Sequence, residues 1–222
     1  MSNKKRNLSK IIKHEPDQVK LTALNQEQKE VLRSISENQV TIIHGYAGTG
    51  KSYLATAYGL LEFLQGKYER LIFTRPCIPA YGEDLGWLPG NTNSKLLPYM
   101  FPLFDIMRMF LFKEEIDKLI ADEYILTIPL AFLRGITFRR AFVVFDEAQN
   151  TIVPQMRLFL TRIGEGTKVA ITGDLSQSDI KGVNGMSDAI ERLKGVDGVS
   201  IVGLSRSAIV RSKIVQDIES RY

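Results

Sequence analysis

Short apolar runs and helical periodicities alternate along this chain from about residue 25 to its end. Apolar, β-branched runs predict strands at residues 40–43, 71–73, 141–145, 169–172 and 199–202, with an edge strand at 124–128. Apolar positions three and four apart predict helices at residues 52–65, 154–163, 186–193 and 207–220, and another after Asn25, a candidate N-cap. Apolar strands that alternate with helices predict an α/β fold, in which a mostly parallel sheet carries helices on both faces.

Residues 75–100 interrupt this alternation, because prolines and glycines recur too often there for a regular element. We interpret them as a long structured loop, and loops of this length in compact domains are usually functional. Tyr81, Trp87 and Tyr99 could stack on nucleic-acid bases or could fill the small core of the loop itself. Apolar character returns over residues 94–112.

The composition is that of an ordinary globular domain, with 222 residues, 44% hydrophobic and 24% charged. A single cysteine excludes an intramolecular disulfide, and two histidines make a structural zinc site untenable. No apolar run approaches the ~18 residues of a membrane span, and the N-terminus does not resemble a signal sequence. We therefore expect a soluble, cytoplasmic protein with no membrane partner.

The net charge is mildly positive, with 29 lysines and arginines against 25 acidic residues. Much of the excess lies in residues 1–20, which we expect to form a basic flexible tail ahead of a single domain at residues 21–222. The tail could be a solvated terminus or an arm that touches phosphates, so the charge alone identifies no partner.

A phosphate-binding pattern, G-x-x-x-x-G-K-S, is met in full by the sequence GYAGTGKS at residues 45–52. A predicted strand precedes it and a predicted helix follows it, which is the context that such a loop requires. Its glycines let backbone amides point at phosphate oxygens, Lys51 supplies a cation for the β- and γ-phosphates, and Ser52 is the expected magnesium ligand. The nucleotide-binding residues are therefore predicted to be Gly45, Tyr46, Ala47, Gly48, Thr49, Gly50, Lys51 and Ser52.

An acidic pair, Asp146 and Glu147, follows the fully apolar strand at residues 141–145. The carboxyl end of a central strand is where ligands bind in open α/β sheets. There Asp146 would hold magnesium, and Glu147 would orient or deprotonate an attacking water. Gln177, beyond the next strand, could reach the γ-phosphate or that water. Taken alone, the pair could also be an acidic helix cap, but beside the phosphate loop it indicates an NTP hydrolase.

Further motifs occur in a fixed order along the chain. They are LNQEQ at residues 24–28, TRP at 74–76, LGWLPG at 85–90, PLAFLRG at 129–135, DEAQN at 146–150 and FLTR at 159–162. The set resembles the ATPase core of superfamily 1 helicases, and it is most similar to the PhoH-like ATPase family. The similarity extends over nearly all of the chain from residue 20 onward.

This resemblance implies a RecA-like P-loop NTPase core that binds ATP with Mg²⁺ and has RNA or DNA as its suspected partner. It makes Gln28 the residue that reads the adenine. Superfamily 1 motors place ATP between two cores and take an arginine from the second, whereas this sequence shows one core. We therefore expect a ring-like homo-oligomer, with a hexamer as one candidate, and an arginine supplied in trans by Arg211 or Arg206.

Two functions remain open from the sequence. The first is an ATPase or helicase-like motor associated with nucleic acid, and the second is an ATP-controlled switch or assembly factor that hydrolyses slowly. Stimulation by RNA or DNA would favour the motor. Arg75 and Arg134 could contact a nucleic-acid backbone or could brace the long loop against a carboxylate. A phosphotransferase is disfavoured by Glu147 and Gln177.

Overall fold

The structure is a computed structural model that describes residues 21–76 and 92–210, together with Leu8, residues 11–12, Ile214, Val215, Ile218 and Arg221; of residues 92–99 it describes the backbone. The strands are β1 (Val40–Gly45), β2 (Arg70–Thr74), β3 (Ile125–Thr127), β4 (Ala141–Phe145), β5 (Lys168–Gly173) and β6 (Val199–Leu204). The helices are α1 (Gln26–Glu37), α2 (Lys51–Leu64), α3 (Thr92–Arg108), α4 (Lys113–Ala121), α5 (Val153–Leu160) and α6 (Gly185–Arg192). None of these helices is long and apolar enough to cross a membrane.

The strands form one sheet in the order β3-β2-β4-β5-β1-β6, and every pairing in it is parallel. The six predicted strands are therefore confirmed, and β3 lies at an edge as predicted. Because β4 and β5 lie between β2 and β1, the segments that follow β1, β4 and β5 meet at one carboxyl edge of the sheet. Such an edge is where an α/β sheet binds its ligand.

Helices cover both faces of this sheet, which confirms the α/β class. Alternate residues of β4 belong to different cores: Phe142 and Val144 pack on the face covered by α1 to α4, and Val143 and Phe145 on the face covered by α5 and α6. All four are fully buried. The continuous apolar run of β4 follows directly from this arrangement, since both faces of a covered parallel sheet exclude water.

Helix α3 corrects the predicted loop at residues 75–100, because it begins at Thr92 and continues through Pro98 and Pro102. A proline inside a helix costs a hydrogen bond and strains the preceding turn. The buried side chains of Leu103 and Met107, which belong to the main core, favour the helix despite that cost. Residues 77–91, including Tyr81 and Trp87, lie outside the described residues, as does the side chain of Tyr99.

Helix α4 was missed by the sequence analysis. The sequence carries an apolar stripe at Ile116, Leu119 and Ile120. In the structure, the Glu115 carboxylate accepts a hydrogen bond from the Phe112 amide at 2.9 Å. Such a bond from the third helical residue back to the capping residue is half of a capping box.

The predicted helix at residues 207–220 is wrong at its start. Residues Arg206–Ala208 form a single 3₁₀ turn, and Ile209 is extended, with φ −65° and ψ 123°. The Val210 amide then donates to the carbonyl oxygen of Gly48 at 3.0 Å, so the chain pairs with the phosphate loop instead of with its own preceding turn. Arg211 lies outside the described residues.

Leu8 and Ile11 are two of the three residues of the predicted tail that the structure describes. Both side chains are buried in the core on the face of α1 to α4. Burial of apolar area favours folding by roughly 25 cal/mol per Å². This gain opposes the conformational entropy that Leu8 and Ile11 lose when they become ordered.

Gly59 lies where α2 packs against β4. A Cβ atom at Gly59 would lie 2.4 Å from the buried ring of Phe142. Alanine improves helix propensity by about 1 kcal/mol, but overpacking against a ring with no room to move costs about 1–3 kcal/mol. We therefore expect Gly59→Ala to lower the free energy of unfolding in urea by about 1 kcal/mol. The same change in a Phe142→Leu background should cost less, and an equal cost in both backgrounds would contradict the clash.

Candidate nucleotide-binding site

The phosphate loop turns sharply between β1 and α2, and its backbone requires glycine at two positions. Gly45 has φ +150°, and a Cβ atom there would lie 2.3 Å from the carbonyl oxygen of Leu204 in the neighbouring strand. Gly50, the N-cap of α2, has φ +87°. Residues with side chains rarely adopt such angles, so the predicted role of these glycines agrees with the loop geometry.

Lys51 lies across this loop at the N-terminus of α2. Its Nζ donates to the carbonyl oxygens of Gly45 at 2.7 Å and Tyr46 at 2.8 Å, and the residue is 8% exposed. The ammonium group is therefore held against the phosphate loop, and Lys51 itself is the first residue of α2. A fixed cation and the positive end of a helix dipole together form a binding site for phosphate.

A cluster of oxygen ligands lies where α2, β4 and β5 meet. One carboxylate oxygen of Asp146, Oδ1, accepts hydrogen bonds from Ser52 Oγ at 2.7 Å and Thr172 Oγ1 at 2.6 Å. The Ser52 hydroxyl and the Asp146 carboxylate are hard oxygen ligands, so together they suit Mg²⁺. Within the described chain, no group of three or more His, Cys, Asp and Glu side chains could hold a metal. A metal held here would therefore need further ligands from water or from the phosphates of a nucleotide, which is usual for Mg²⁺.

Glu147 follows Asp146 and is held in an unusual conformation. Its φ of +54° is in the left-handed region, which is strained for a residue with a side chain. Its Oε1 lies 3.4 Å from a guanidinium nitrogen of Arg75, and its Oε2 accepts a hydrogen bond from the Gln149 amide. Gln149 Oε1 in turn accepts the amide of Asp174 at 3.1 Å. The sequence analysis gave Gln149 no role, although its place in the DEAQN motif could have indicated one.

A cavity of about 280 Å³ joins these groups. Its lining includes eight of the predicted site residues: Ala47, Gly48, Gly50, Lys51, Ser52, Asp146, Glu147 and Gln177. Tyr53, Gly173 and Asp174 line it as well. Gly45, Tyr46 and Thr49 belong to the same loop but do not line the cavity, and the Thr49 hydroxyl donates to the Tyr46 carbonyl at 2.8 Å. The loop, the two acidic residues and Gln177 thus meet at one cavity, as the sequence predicts.

Residues 20–222 match the family described as PhoH-like protein. The chain belongs to the PhoH-like family. The PhoH-like protein of Bacillus subtilis (strain 168) is 42% identical over 197 residues, which are 88% of this chain and 61% of that protein. Protein PhoH of Escherichia coli (strain K12) is 36% identical over 206 residues, covering 88% of this chain and 56% of that protein. This chain therefore spans about 60% of the length of the curated relatives that it matches.

Solved structures support a RecA-like P-loop fold for this PhoH-like chain. The large terminase of a thermophilic bacteriophage superposes with a TM-score of 0.54 at 12% identity, covering 90% of this chain and 50% of that one. The SWI2/SNF2 ATPase core of Sulfolobus solfataricus gives a TM-score of 0.51 at 14% identity, covering 86% of this chain and 46% of the other. At identities this low, the similarity shows a shared fold and no more.

Gln28, the expected adenine reader, is bonded to the phosphate loop in this structure. The residue is 3% exposed; its Nε2 donates to the Thr49 carbonyl at 3.0 Å, and its Oε1 accepts the Leu24 amide at 2.8 Å. Its own amide is capped by Asn25 Oδ1 at 2.8 Å, which confirms Asn25 as the N-cap of α1. Gln28 thus connects the start of α1 to the phosphate loop. Its contact with adenine stays a prediction.

The segment after β6 packs against the same loop. The Arg206 guanidinium lies over the Tyr46 ring, 4.7 Å from its centroid. The amide and hydroxyl of Ser205 both donate to the Glu27 carboxylate at 2.7 Å, and these hydrogen bonds lower the pKa of Glu27 below its usual 4.5. Arg206 therefore contacts the phosphate loop of its own chain, and its action on a neighbouring subunit stays a prediction.

His44, at the end of β1, should make the stability of this PhoH-like chain sensitive to acid. Burial of the ring and, secondarily, the charge of Lys51 lower the pKa of His44 from 6.5. Between the lowered pKa and about 6.5, the unfolded chain binds more protons than the folded one, so stability falls as the pH drops through that window. We expect His44→Gln to reduce this loss in urea unfolding at stepped pH. Carboxylates common to both proteins cancel in the difference, and parallel curves would contradict the prediction.

Proposed function

We propose that this PhoH-like chain hydrolyses ATP to ADP and phosphate, works as a homo-oligomer and is associated with single-stranded RNA or DNA. The observation that carries the proposal is the meeting of Lys51, Asp146 and Glu147 at one cavity beside the phosphate loop. A binding site alone would need the loop and its cation. A hydrolase also needs a group that activates the attacking water, and Glu147 is the carboxylate in position to do so.

In this proposal Lys51 would bind the β- and γ-phosphates, and Ser52 and Asp146 would hold Mg²⁺. The bound metal supplies charge neutralisation for the phosphates. The amides at the start of α2 bind further phosphate oxygens without reorganising, because the loop is already folded around Lys51. The cavity volume of about 280 Å³ suits the phosphate part of a nucleotide.

Hydrolysis then proceeds by in-line attack of water on the γ-phosphorus. A bond forms between the water oxygen and phosphorus, the bond to the β–γ bridging oxygen breaks, and ADP leaves. Glu147 orients the water and accepts its proton. Gln177 follows β5 and lines the same cavity, where it would contact the water or the γ-phosphate.

The charges around the cavity support a homo-oligomer, because the transition state would need an arginine that the described lining of the cavity does not supply. Among the described residues that line it, Lys51 is the only cationic side chain. Phosphoryl transfer in P-loop ATPases commonly uses an additional arginine to stabilise the transition state. In a ring of identical subunits, a neighbour would supply that arginine from Arg211 or Arg206.

The fold and two exposed side chains of this chain support an association with nucleic acid. The SWI2/SNF2 core with the same fold was solved in complex with dsDNA. Phe132 and Arg134 are exposed just beyond the edge strand β3, and a ring and a guanidinium are the groups that stack on bases and bind phosphates.

An ATP-controlled switch is the second candidate, and one observation favours it. The segment after β6 contacts the phosphate loop through Val210 and Arg206, so a change in the loop would be transmitted to the C-terminal part of the chain. A switch of this kind would change its oligomeric state with ATP and hydrolyse slowly.

Phosphate release separates these functions. Purified protein is assayed with ATP and Mg²⁺, with and without single-stranded RNA and single-stranded DNA of the same sequence, while light scattering reports oligomer mass. Faster release with nucleic acid supports the motor. Slow release that ignores nucleic acid, with ATP-dependent assembly, supports the switch. An absence of release overturns the ATPase proposal.

A further inference from the structure

The ion pair between Arg75 and Glu147 joins the proposed catalytic carboxylate to the edge of the sheet where nucleic acid would bind. Arg75 follows β2 and Glu147 follows β4, and these neighbouring strands pair in register at Thr74 and Phe145. The Asp146 amide also donates to the Thr74 carbonyl at 3.1 Å. The ion pair therefore results from the pairing of β2 with β4. A movement of Arg75 would act directly on Glu147.

Each oxygen of the Glu147 carboxylate has its own partner. Gln149 donates to Oε2, and Arg75 faces Oε1 at 3.4 Å. The two contacts differ in strength, because Gln149 is 1% exposed and hydrogen-bonded at both ends of its amide, whereas 3.4 Å is long for a hydrogen bond from a guanidinium. The Arg75 contact is thus the one that another anion could displace.

Solvent reaches this pair. The side chain of Arg75 is 20% exposed and that of Glu147 is 36% exposed. Ion pairs that water reaches are weak and are readily exchanged for a different counterion. A phosphodiester group is a suitable competitor, because guanidinium groups bind phosphate through two parallel hydrogen bonds.

The surroundings of Arg75 suit single-stranded nucleic acid. The Arg75 carbonyl accepts the amide of Leu130 at 3.4 Å, which places the 3₁₀ turn Leu130–Phe132 beside it. Phe132 is half exposed, and Arg134 follows two residues later and is exposed. An exposed ring next to arginines provides both of the contacts that bind single strands, namely base stacking and backbone charge.

We infer that Arg75 restrains Glu147 in the absence of nucleic acid, and that a phosphodiester group which binds Arg75 releases Oε1 of Glu147 for the attacking water. This inference rests on the proposed function, and it assigns Arg75 the role of a positioning residue that couples the two sites. The strained backbone of Glu147, with φ +54°, is consistent with a carboxylate that changes position between two states.

The test compares the wild type with Arg75→Ala, Arg75→Gln, Arg75→Lys and a control, Arg192→Ala, which removes an exposed arginine paired with Asp188 on α6. Phosphate release is measured over a range of ATP concentrations, with and without a single-stranded RNA or DNA oligonucleotide of about 20 nucleotides, long enough to fill a single-strand site. Binding of the same labelled oligonucleotide is measured by fluorescence anisotropy without nucleotide, over a range of salt concentrations. The binding arm is independent of hydrolysis.

We expect Arg75→Ala and Arg75→Gln to raise kcat without nucleic acid, to leave KM for ATP unchanged and to abolish further stimulation by the oligonucleotide. In the anisotropy arm, the negative slope of log K against log salt should become shallower by about 0.7, which is the loss of one phosphate contact on a single strand. Arg75→Lys should retain part of both the restraint and the slope, and Arg192→Ala should behave as the wild type.

Opposite results overturn the inference. If the neutral variants lower kcat without nucleic acid but keep the wild-type stimulation ratio, Arg75 orients Glu147 permanently and couples nothing. If the salt slope is unchanged, the phosphate does not bind at Arg75. These outcomes leave the proposed function intact, whereas a wild type that releases no phosphate removes the proposed function and the inference with it. If Arg75→Ala fails to fold, Arg75→Gln and Arg75→Lys decide, since they keep most of the length of the side chain.

Discussion

Glu147→Gln is expected to lower kcat for ATP hydrolysis by about 100- to 10,000-fold, which is the usual contribution of a positioned general base. The substitution keeps the size of the side chain and an oxygen that can accept the Gln149 amide, but it removes the negative charge that takes a proton from water. Lys51, Ser52 and Asp146 are untouched, so the affinity for ATP should stay at the wild-type value. Single-turnover phosphate release and equilibrium binding of a fluorescent ATP analogue measure the two quantities separately.

The matched control is Glu191→Gln, which makes the same chemical change at an exposed position of α6. It should leave both quantities unchanged. Two results would contradict the role of Glu147: a kcat within a small factor of the wild type, or a parallel loss of binding and hydrolysis. The second would mean that the carboxylate supports the fold of the site, which its hydrogen bond to Gln149 makes a real alternative. A urea unfolding curve of the variant separates that case.

The phosphate loop was predictable because all of its chemistry lies in eight consecutive residues, 45–52. Its glycines, Lys51 and Ser52 act through backbone angles and a helix N-terminus that they form themselves. The apolar run of β4 was equally informative, since it predicted a buried central strand that carries Asp146 to its carboxyl end. Local patterns therefore predicted both halves of the site, and the parallel sheet implied that they would meet.

Contacts between distant segments could not be predicted in the same way. The sequence left Arg75 with two interpretations, and its contact with Glu147 depends on β2 being the neighbour of β4, which no local pattern contains. The predicted helix at residues 207–220 failed at its start for a related reason. Its apolar periodicity was interpreted without knowing that the Val210 amide would bond to the Gly48 carbonyl in the phosphate loop.

Prolines misled the interpretation between β2 and β3. They were treated as helix breakers, but the local cost of a proline is set against burial of a whole helix face. In α3 that face includes Leu103, Phe104 and Met107, which are buried in the main core. Intrinsic helix propensity is a weak predictor of structure wherever tertiary packing is extensive.

Lys51→Ala is expected to weaken ATP binding by roughly 10- to 150-fold, the range that corresponds to the loss of a hydrogen-bonded charge from a binding site. The ammonium group lies 2.7 Å from the Gly45 carbonyl oxygen and 2.8 Å from that of Tyr46, so the loop has already positioned it for an incoming phosphate. Titration of a fluorescent ATP analogue measures the effect, and Lys118→Ala, which removes an exposed lysine of α4, is the matched control.

The same two hydrogen bonds raise the alternative that Lys51 serves only to fold the loop. Lys51→Met distinguishes the two roles, because it retains the apolar stem that packs in the site and removes only the charge. If the ammonium binds phosphate, Lys51→Met should lose as much ATP affinity as Lys51→Ala while its unfolding curve stays closer to that of the wild type. Wild-type ATP affinity in a stably folded Lys51→Met would instead assign the charge to the carbonyls of Gly45 and Tyr46, and phosphate binding to the amides of α2.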